Sequence, residues 1–163
     1  MNKDLLIAAQ QLHRVLTERS LTLSAAESCT GGLICACITS IPGASLFFRA
    51  GIVSYSTESK KHILGVSPGT ILSEGVVSEA TARQMAERVR VLTGSDYSLS
   101  TTGNLGPGVL EDKDRGLVYV AAGKEGETRC RELRLKGSRE ENREEASAAA
   151  LRLLITMLEG ESN

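Results

Sequence analysis

The chain has 163 residues, of which 41% are apolar and 24% charged, and its formal net charge is −1. These proportions are typical of one globular domain, and they exclude a disordered chain and a strong field that would attract nucleic acid. Only 3% of the residues are aromatic, and no apolar run approaches the ~18 residues of a membrane-spanning helix. The N-terminus also lacks the apolar segment of a signal peptide. We therefore expect a cytoplasmic protein that binds neither nucleic acid nor a membrane.

Apolar residues recur every three or four positions from Leu5 to Leu16, which predicts an amphipathic first helix. The later elements are bounded by Gly, Pro and Ser. In chain order we predict helix 3–18, strand 21–26, helix 33–40, strand 51–55, a helix after Ser56 to about 64, a loop over 70–75, a helix from Ser78 to 93, strand 97–102, strands 116–122 and 128–135, and helix 138–158. This order predicts an α/β fold, a three-layer α/β/α sandwich on a mixed, mostly parallel sheet with a C-terminal antiparallel hairpin. We treat residues 1–163 as a single domain.

The four cysteines, Cys29, Cys35, Cys37 and Cys130, follow no disulfide or zinc pattern. Disulfide frameworks belong to small secreted scaffolds. Cys35 and Cys37 would point about 200° apart around a helix, and neither histidine stands at a zinc-ligand spacing. We therefore expect the cysteines to be small buried residues, and we expect neither a metal site nor a cofactor.

Ser28 stands where a predicted strand ends and a small-residue helix begins. Ligands of open α/β folds bind at this edge of the sheet. The amides from Cys29 through Thr30, Gly31 and Gly32 would form a helix N-terminus that stabilises an oxyanion or a phosphate. Ser28 is therefore a candidate nucleophile, and Thr30, Gly31 and Gly32 are candidate substrate-binding residues. A plain serine cap at a tight turn is the alternative.

Tyr55 and Lys60 form a second candidate cluster. Tyr55 would end a strand, and Lys60 would lie on the first turns of the next helix. A lysine serves as general base for a serine when burial lowers its pKa from the ordinary ~10.4, and a tyrosine hydroxyl could relay the proton. The alternative makes Lys60 a surface charge and Tyr55 a half-buried strand residue.

A glycine-rich loop after strand 97–102 offers hydroxyls and exposed backbone at Thr102 and Gly103. Such a loop can cradle a substrate ring or a phosphate. Arg139 and Arg143 lie one turn apart near the start of the last helix, and with Arg115 they could bind a phosphate. The alternatives are a flexible loop and ion pairs with neighbouring glutamates.

Residues 26–32 read AESCTGG and residues 51–60 read GIVSYSTESK. With the segments at 64–66, 75–79 and 116–119, in this order, they resemble the CinA C-terminal domain family, whose stand-alone members are nicotinamide-nucleotide amidases. The resemblance covers nearly the whole chain. It implies a metal-free hydrolase that removes ammonia from the carboxamide of nicotinamide mononucleotide and leaves the nicotinate nucleotide.

The resemblance also implies roles for individual residues. The nucleophile falls on Ser28, with Lys60 and Tyr55 as its partners. We expect the turn at 30–32 to hold the oxyanion, and the loop at 102–103 with Arg139 or Arg143 to hold the ring and phosphate. The expected partners are the nucleotide substrate and further copies of the chain in a homo-oligomer.

Two segments depart from the family pattern. Residues 102–107 read TGNLGP where the family has SGIAGP, and Thr57 stands where the family has asparagine. Because this loop and an amide near Lys60 are altered, a non-catalytic nucleotide-binding or regulatory module of the same fold is the alternative function. Longer relatives carry an additional N-terminal domain, and we expect this chain to begin directly with the amidase-like part.

Overall fold

A five-stranded sheet forms the centre of the fold in the computed structural model, which describes residues 1–108 and 110–161. The strands are β1 (Leu23–Glu27), β2 (Phe48–Val53), β3 (Tyr97–Gly103), β4 (Leu117–Lys124) and β5 (Glu127–Arg134). Their order is β2-β1-β3-β4-β5. β1 is parallel to β2 and β3, whereas β4 is antiparallel to β3 and β5. The predicted mixed sheet with a C-terminal hairpin is confirmed.

Helices cover both faces of this sheet. They are α1 (Lys3–Glu18), α2 (Leu33–Thr39), α3 (Thr57–Ser59), α4 (Pro68–Glu74), α5 (Glu79–Thr93) and α6 (Arg139–Glu159). A 3₁₀ turn at Ala44–Leu46 precedes β2, and a π-helical turn at Lys60–Leu64 continues α3. Within the described part of the chain, no helix is both long and apolar enough to cross a membrane.

The apolar core is divided by the sheet into two layers. Helices α1, α2 and α6 pack against one face, and α5 with the π-helical turn packs against the other. Fully buried residues of the first layer include Leu5, Leu12, Ile34, Leu99, Val120, Leu151 and Leu154. Those of the second include Ala26, Leu64, Met85 and Val89. The predicted three-layer arrangement is thus confirmed.

Helix α4 occupies residues for which the Pro68-Gly69 pair predicted a loop, and that prediction is wrong. Pro68 stands in the first turn of the helix. There its missing N–H has no helical partner to lose, and its fixed φ already suits the helix. Gly75 then ends α4 with a left-handed φ of +86°.

Strand β2 begins at Phe48, three residues before the predicted start, and ends at Val53, so Ser54 and Tyr55 follow the strand. Gly51 allows helix α2 to lie close to β2, because a Cβ on Gly51 would stand 2.2 Å from the sulfur of Cys35. Beyond β2, Ser56 caps α3 as predicted by accepting the N–H of Ser59 at 3.1 Å. These boundaries place the side chains that follow β2 beside the end of β1.

Candidate active site

Three strands end together at one edge of the sheet and surround a cavity. Ser28 follows β1 directly, Tyr55 lies just beyond β2, and Thr102 is near the end of β3. This is the carboxyl edge of the parallel strands, where α/β folds bind their ligands. The cavity has a volume of about 300 Å³. Its lining includes Ser28, Cys29, Tyr55, Lys60, Thr102, Gly103 and Arg139.

The Ser28 hydroxyl and the Lys60 ammonium group meet at the bottom of this cavity. The Oγ of Ser28 and the Nζ of Lys60 are 2.8 Å apart. Ser28 is 7% exposed and Lys60 only 2%. The main-chain N–H of Ser28 donates to the carbonyl of Thr101 at 3.0 Å, so the end of β3 holds the serine in place. The structure therefore brings together the predicted nucleophile and the predicted base.

The ammonium group of Lys60 also contacts two main-chain carbonyls. Its Nζ lies 2.9 Å from the oxygen of Ser54 and 3.3 Å from that of Tyr55. Burial lowers the pKa of Lys60 from 10.5 to about 8. A neutral amine can donate its two N–H groups to these carbonyls and direct its lone pair at the Ser28 hydroxyl. The arrangement thus suits a lysine that accepts a proton from serine.

Tyr55 contributes to the site through different atoms from those we predicted. Its side chain is 59% exposed at the cavity rim, and its hydroxyl accepts a hydrogen bond from Arg139 at 2.9 Å. The contact with Lys60 is made by the main-chain carbonyl of Tyr55. The main-chain carbonyl of Tyr55 can therefore orient Lys60. The hydroxyl of Tyr55 contacts Arg139 instead, so this geometry does not include a proton relay through that hydroxyl.

Glu27 is a site residue that sequence reasoning missed. Its carboxylate is fully buried and accepts four hydrogen bonds, from the hydroxyl of Thr30 at 2.6 Å and from the amides of Gly32, Ile34 and Cys35 at 2.9–3.1 Å. A signal was present in the sequence, because an acidic side chain near a helix N-terminus is favoured by the helix dipole, and Glu27 stands a few residues before the start of α2. The carboxylate fills the N-terminus of α2 from inside the protein.

Contrary to our expectation, the turn at residues 30–32 therefore does not offer all of its amides to an oxyanion. The amide of Gly31 donates to the carbonyl of Ser28 at 3.0 Å, and that of Gly32 donates to Glu27. The hydroxyl of Thr30 is buried against Glu27 and Thr101. Within residues 1–108 and 110–161, the amides of Cys29 and Thr30 have no acceptor. These two N–H groups remain available for an oxyanion beside Ser28.

Arg143 lies outside the residues that line the cavity. Its guanidinium donates twice to the carbonyl of Thr30, at 2.8 and 3.2 Å. It also lies close to Gly31, since a Cβ on that glycine would stand 3.5 Å from Nη2 of Arg143. Arg143 therefore holds the serine turn from helix α6 and does not point into the cavity as a phosphate ligand.

Thr102 and Gly103, which we predict to bind substrate, line the cavity at the end of β3. The hydroxyl of Thr102 is already engaged, because it donates to the carbonyl of Val76 at 2.6 Å. Gly103 has no room for a side chain, since a Cβ would stand 2.6 Å from Cγ2 of Val118. Thr102 thus shapes the wall, and Gly103 offers backbone to a ligand.

Asn104, a departure from the family pattern, organises the loop that follows. Its amide nitrogen donates to the carbonyls of Gly108 and Lys113 at 3.0 and 3.1 Å, and its amide oxygen accepts the N–H of Gly106 at 3.0 Å. Val109 lies outside the described residues. Asn104 is 5% exposed, and its side chain therefore stabilises the loop from within by hydrogen bonds to Gly106, Gly108 and Lys113.

Arg139 stands between the cavity and a second, more open depression of about 440 Å³ that Arg115 also lines. Its guanidinium donates to the carbonyl of Gly106 at 3.0 Å and to the hydroxyl of Tyr55. Among the ion pairs of the described residues, none includes Arg139 or Arg115. Two guanidinium groups without a carboxylate partner make this rim suitable for an anion.

The cysteines are free thiols, of which Cys29 and Cys37 are buried and Cys35 and Cys130 partly buried. Burial raises the pKa of Cys29 to about 12. Because the thiolate is the nucleophilic form, the Cys29 thiol beside Ser28 is inert at neutral pH. In the described ranges, no three His, Cys, Asp or Glu side chains are grouped as ligands for a metal ion.

Comparison with known proteins identifies relatives along most of the chain. The family model of the CinA C-terminal domain matches residues 6–158. A CinA-like protein from Frankia casuarinae is 47% identical over 150 residues, which cover 91% of this chain and 34% of that protein. A CinA-like protein from Endomicrobium trichonymphae is 44% identical over 142 residues, 86% of this chain and 33% of that protein. The chain spans about a third of the length of these curated relatives.

Solved structures show the same architecture. The competence/damage inducible protein CihA from Agrobacterium tumefaciens superposes with a TM-score of 0.92 at 34% identity, covering 96% of both chains. A competence-damaged protein (CinA) superfamily protein from Enterobacter cloacae gives a TM-score of 0.91 at 32% identity, over 94% of this chain and 92% of that one. With the family model matching residues 6–158, this chain belongs to the CinA C-terminal domain family.

Proposed function

We propose that the chain is a nicotinamide-nucleotide amidase that hydrolyses the carboxamide of nicotinamide mononucleotide through Ser28. The observation that supports this most directly is the buried contact between Ser28 Oγ and Lys60 Nζ at 2.8 Å. A nucleophile within hydrogen-bond reach of a base, which is itself oriented by further groups, is the arrangement that covalent catalysis requires. Here the orienting groups are the carbonyls of Ser54 and Tyr55.

The proposed reaction begins with neutral Lys60. Its Nζ takes the proton from Ser28 Oγ as the oxygen attacks the carboxamide carbon. The C–N bond of the resulting tetrahedral intermediate then breaks, and the Lys60 ammonium returns its proton to the departing nitrogen, so that ammonia leaves. Water, deprotonated by the same lysine, attacks the acyl-enzyme ester. The Lys60 ammonium then gives that proton to Ser28 Oγ as it leaves, which releases the carboxylic acid and restores the Ser28 hydroxyl and neutral Lys60.

The oxyanion of the intermediate needs hydrogen-bond donors close to Ser28. The amides of Cys29 and Thr30 are the donors that we assign to it, because they have no acceptor in the described part of the chain. Cys29 also lines the cavity. This assignment replaces the expectation that Gly31 and Gly32 perform the task.

The phosphate of the nucleotide is assigned to the rim of the cavity. Arg139 reaches both the cavity and the adjoining depression, and it carries no carboxylate partner within residues 1–108 and 110–161. A charge-assisted hydrogen bond from a guanidinium to phosphate contributes roughly 1.5–3 kcal/mol. Arg143 is not used, since its guanidinium is committed to the carbonyl of Thr30.

Ammonia release by the purified protein tests the proposal. Wild-type protein and Ser28→Ala are incubated with nicotinamide mononucleotide, and ammonia and the nicotinate nucleotide are quantified together. We expect equal amounts of both products from the wild type and none above background from Ser28→Ala. Tight binding of the nucleotide by a folded wild type that releases no ammonia would refute the amidase and favour a binding module.

A further inference from the structure

Glu27 is a buried acidic group whose role the proposed reaction does not explain. It is the last residue of β1, directly before Ser28, and it is 0% exposed. In the described part of the chain its carboxylate has no ion-pair partner, and its four hydrogen-bond donors are all uncharged. Burying a carboxylate without a cation is costly. A helix start that only needed a cap would be served by a serine or threonine.

The contacts of Glu27 span the turn that carries the serine. One oxygen accepts from the Thr30 hydroxyl and from the amides of Gly32 and Ile34, at 2.6, 3.0 and 3.1 Å. The other oxygen accepts from the Cys35 amide at 2.9 Å. The carboxylate therefore ties the end of β1 to the first turn of α2, and Ser28 lies between the two tied points.

The backbone of this turn needs such a restraint. Gly31 and Gly32 have left-handed φ values of +61° and +94°. Two consecutive glycines do not by themselves hold one backbone conformation, because glycine can adopt many. Besides Glu27, the turn is held by the bond from the Ser28 amide to Thr101 and by the bonds from Arg143 to Thr30. The Gly31 amide also donates to the Ser28 carbonyl, and the Thr30 hydroxyl contacts that of Thr101.

We propose that Glu27 is a positioning residue for the nucleophile. Its carboxylate fixes the turn so that Ser28 Oγ meets Lys60 Nζ, and so that the amides of Cys29 and Thr30 stay beside the serine. The carboxylate also occupies the amides of Gly32, Ile34 and Cys35, which would otherwise compete with the amides of Cys29 and Thr30 for a substrate anion. This inference rests on the proposed function, since it assumes that Ser28 is the attacking group.

Two variants and one matched control test the proposal. Glu27→Gln keeps the length of the side chain, but with its oxygen on Thr30, Gly32 and Ile34 it places an NH₂ donor opposite the Cys35 amide. Thr30→Val removes one donor of the network and keeps the side-chain shape. Thr93→Val is the control, because its hydroxyl makes comparable bonds, to Ser24 at 2.7 Å and Val89 at 2.7 Å, at the opposite edge of the sheet.

Each protein is measured for folded fraction, for kcat and KM of ammonia release, and for the rate at which a fluorophosphonate labels Ser28. Misplacing a reacting group by about 1 Å costs about 10²-fold in rate. We expect Glu27→Gln to lower both kcat and the labelling rate per folded molecule by about that factor, with KM changed less than about threefold. Thr30→Val should show a smaller loss of the same kind, and Thr93→Val no loss.

A purely structural role would lower the folded fraction and leave kcat per folded molecule unchanged, and that result in either variant would overturn the proposal. If Glu27→Gln does not fold, Thr30→Val decides by the same criterion.

The labelling rate tests the role of Glu27 separately from the identity of the substrate. A wild type that is labelled at Ser28 but releases no ammonia refutes the amidase, and the labelling rates of the variants then decide the role of Glu27. A wild type that is neither labelled nor active overturns both.

Discussion

Replacing Lys60 by methionine is expected to change how the stability of the protein depends on pH. Lys60 is 2% exposed, and burial lowers its pKa from 10.5 to about 8. Methionine has a similar length and no charge. The comparison of the two proteins therefore isolates the free energy of burying the charged lysine.

The sign follows from proton binding. Between pH 8 and 10.5 the unfolded chain holds the proton on Lys60 and the folded chain does not, so the free energy of unfolding rises with pH in that window. Below pH 8 both states are protonated, and the full cost of the buried charge is present. Since one pKa unit corresponds to about 1.4 kcal/mol, the cost at neutral pH is roughly 3 kcal/mol.

The measurement is urea unfolding of wild type and Lys60→Met at pH 7 and pH 10. We expect the free energy of unfolding of the wild type, relative to Lys60→Met, to increase by roughly 2–3 kcal/mol between the two pH values. Other titrating groups cancel in this difference. The hydrogen bonds lost with Lys60 also cancel, to the extent that they contribute equally at both pH values. Lys61→Met is the control, because Lys61 pairs with Glu58 at the surface. The free energy of unfolding of the wild type relative to Lys61→Met should change much less between pH 7 and pH 10.

The same pKa predicts the pH profile of catalysis. A base that must be neutral is about one-tenth active at pH 7 if its pKa is about 8, so kcat/KM of the wild type should rise tenfold per pH unit below that value and level off above it. Parallel stability curves for wild type and Lys60→Met would refute the reasoning from burial. A kcat/KM that is flat between pH 6 and 9 would refute Lys60 as the base.

Further variants separate the roles of the other residues. Ser28→Ala should lose on the order of 10³-fold or more of kcat with an unchanged melting temperature, and full activity in the folded variant would exclude the nucleophile. Lys60→Arg should bind the nucleotide but lose the chemical step, because a guanidinium does not deprotonate usefully; near-normal turnover would leave only an electrostatic role. Arg139→Ala should raise KM about ten- to a hundredfold for the nucleotide but not for the phosphate-free nucleoside, and equal effects on both would show that it does not bind phosphate. Arg143→Ala should lower kcat equally for both substrates, because it holds the carbonyl of Thr30; a selective rise in the nucleotide KM would contradict this placement.

Features that depend on neighbouring residues were predictable from the sequence. Helix α1 has the predicted bounds of Lys3–Glu18 because its apolar spacing is periodic and local. The capping box of α6 forms between Ser138 and Glu141, three residues apart, as its pattern indicates. Helix α4 was missed because the Pro-Gly pair is typical of turns, although proline also fits a first helical turn.

The site needed the tertiary structure, since its contacts join residues far apart in the chain. The sequence determined on its own that a serine stands at a strand-to-helix turn and that a lysine follows a later strand. Only the parallel pairing of β1 with β2 and β3 brought Ser28 to Lys60, buried the lysine and so lowered its pKa. Only folding showed that the amides of α2 are taken by Glu27 and that Arg143 holds the turn. Burial and hydrogen-bond partners are properties of the packed chain, because each depends on residues that local sequence does not specify.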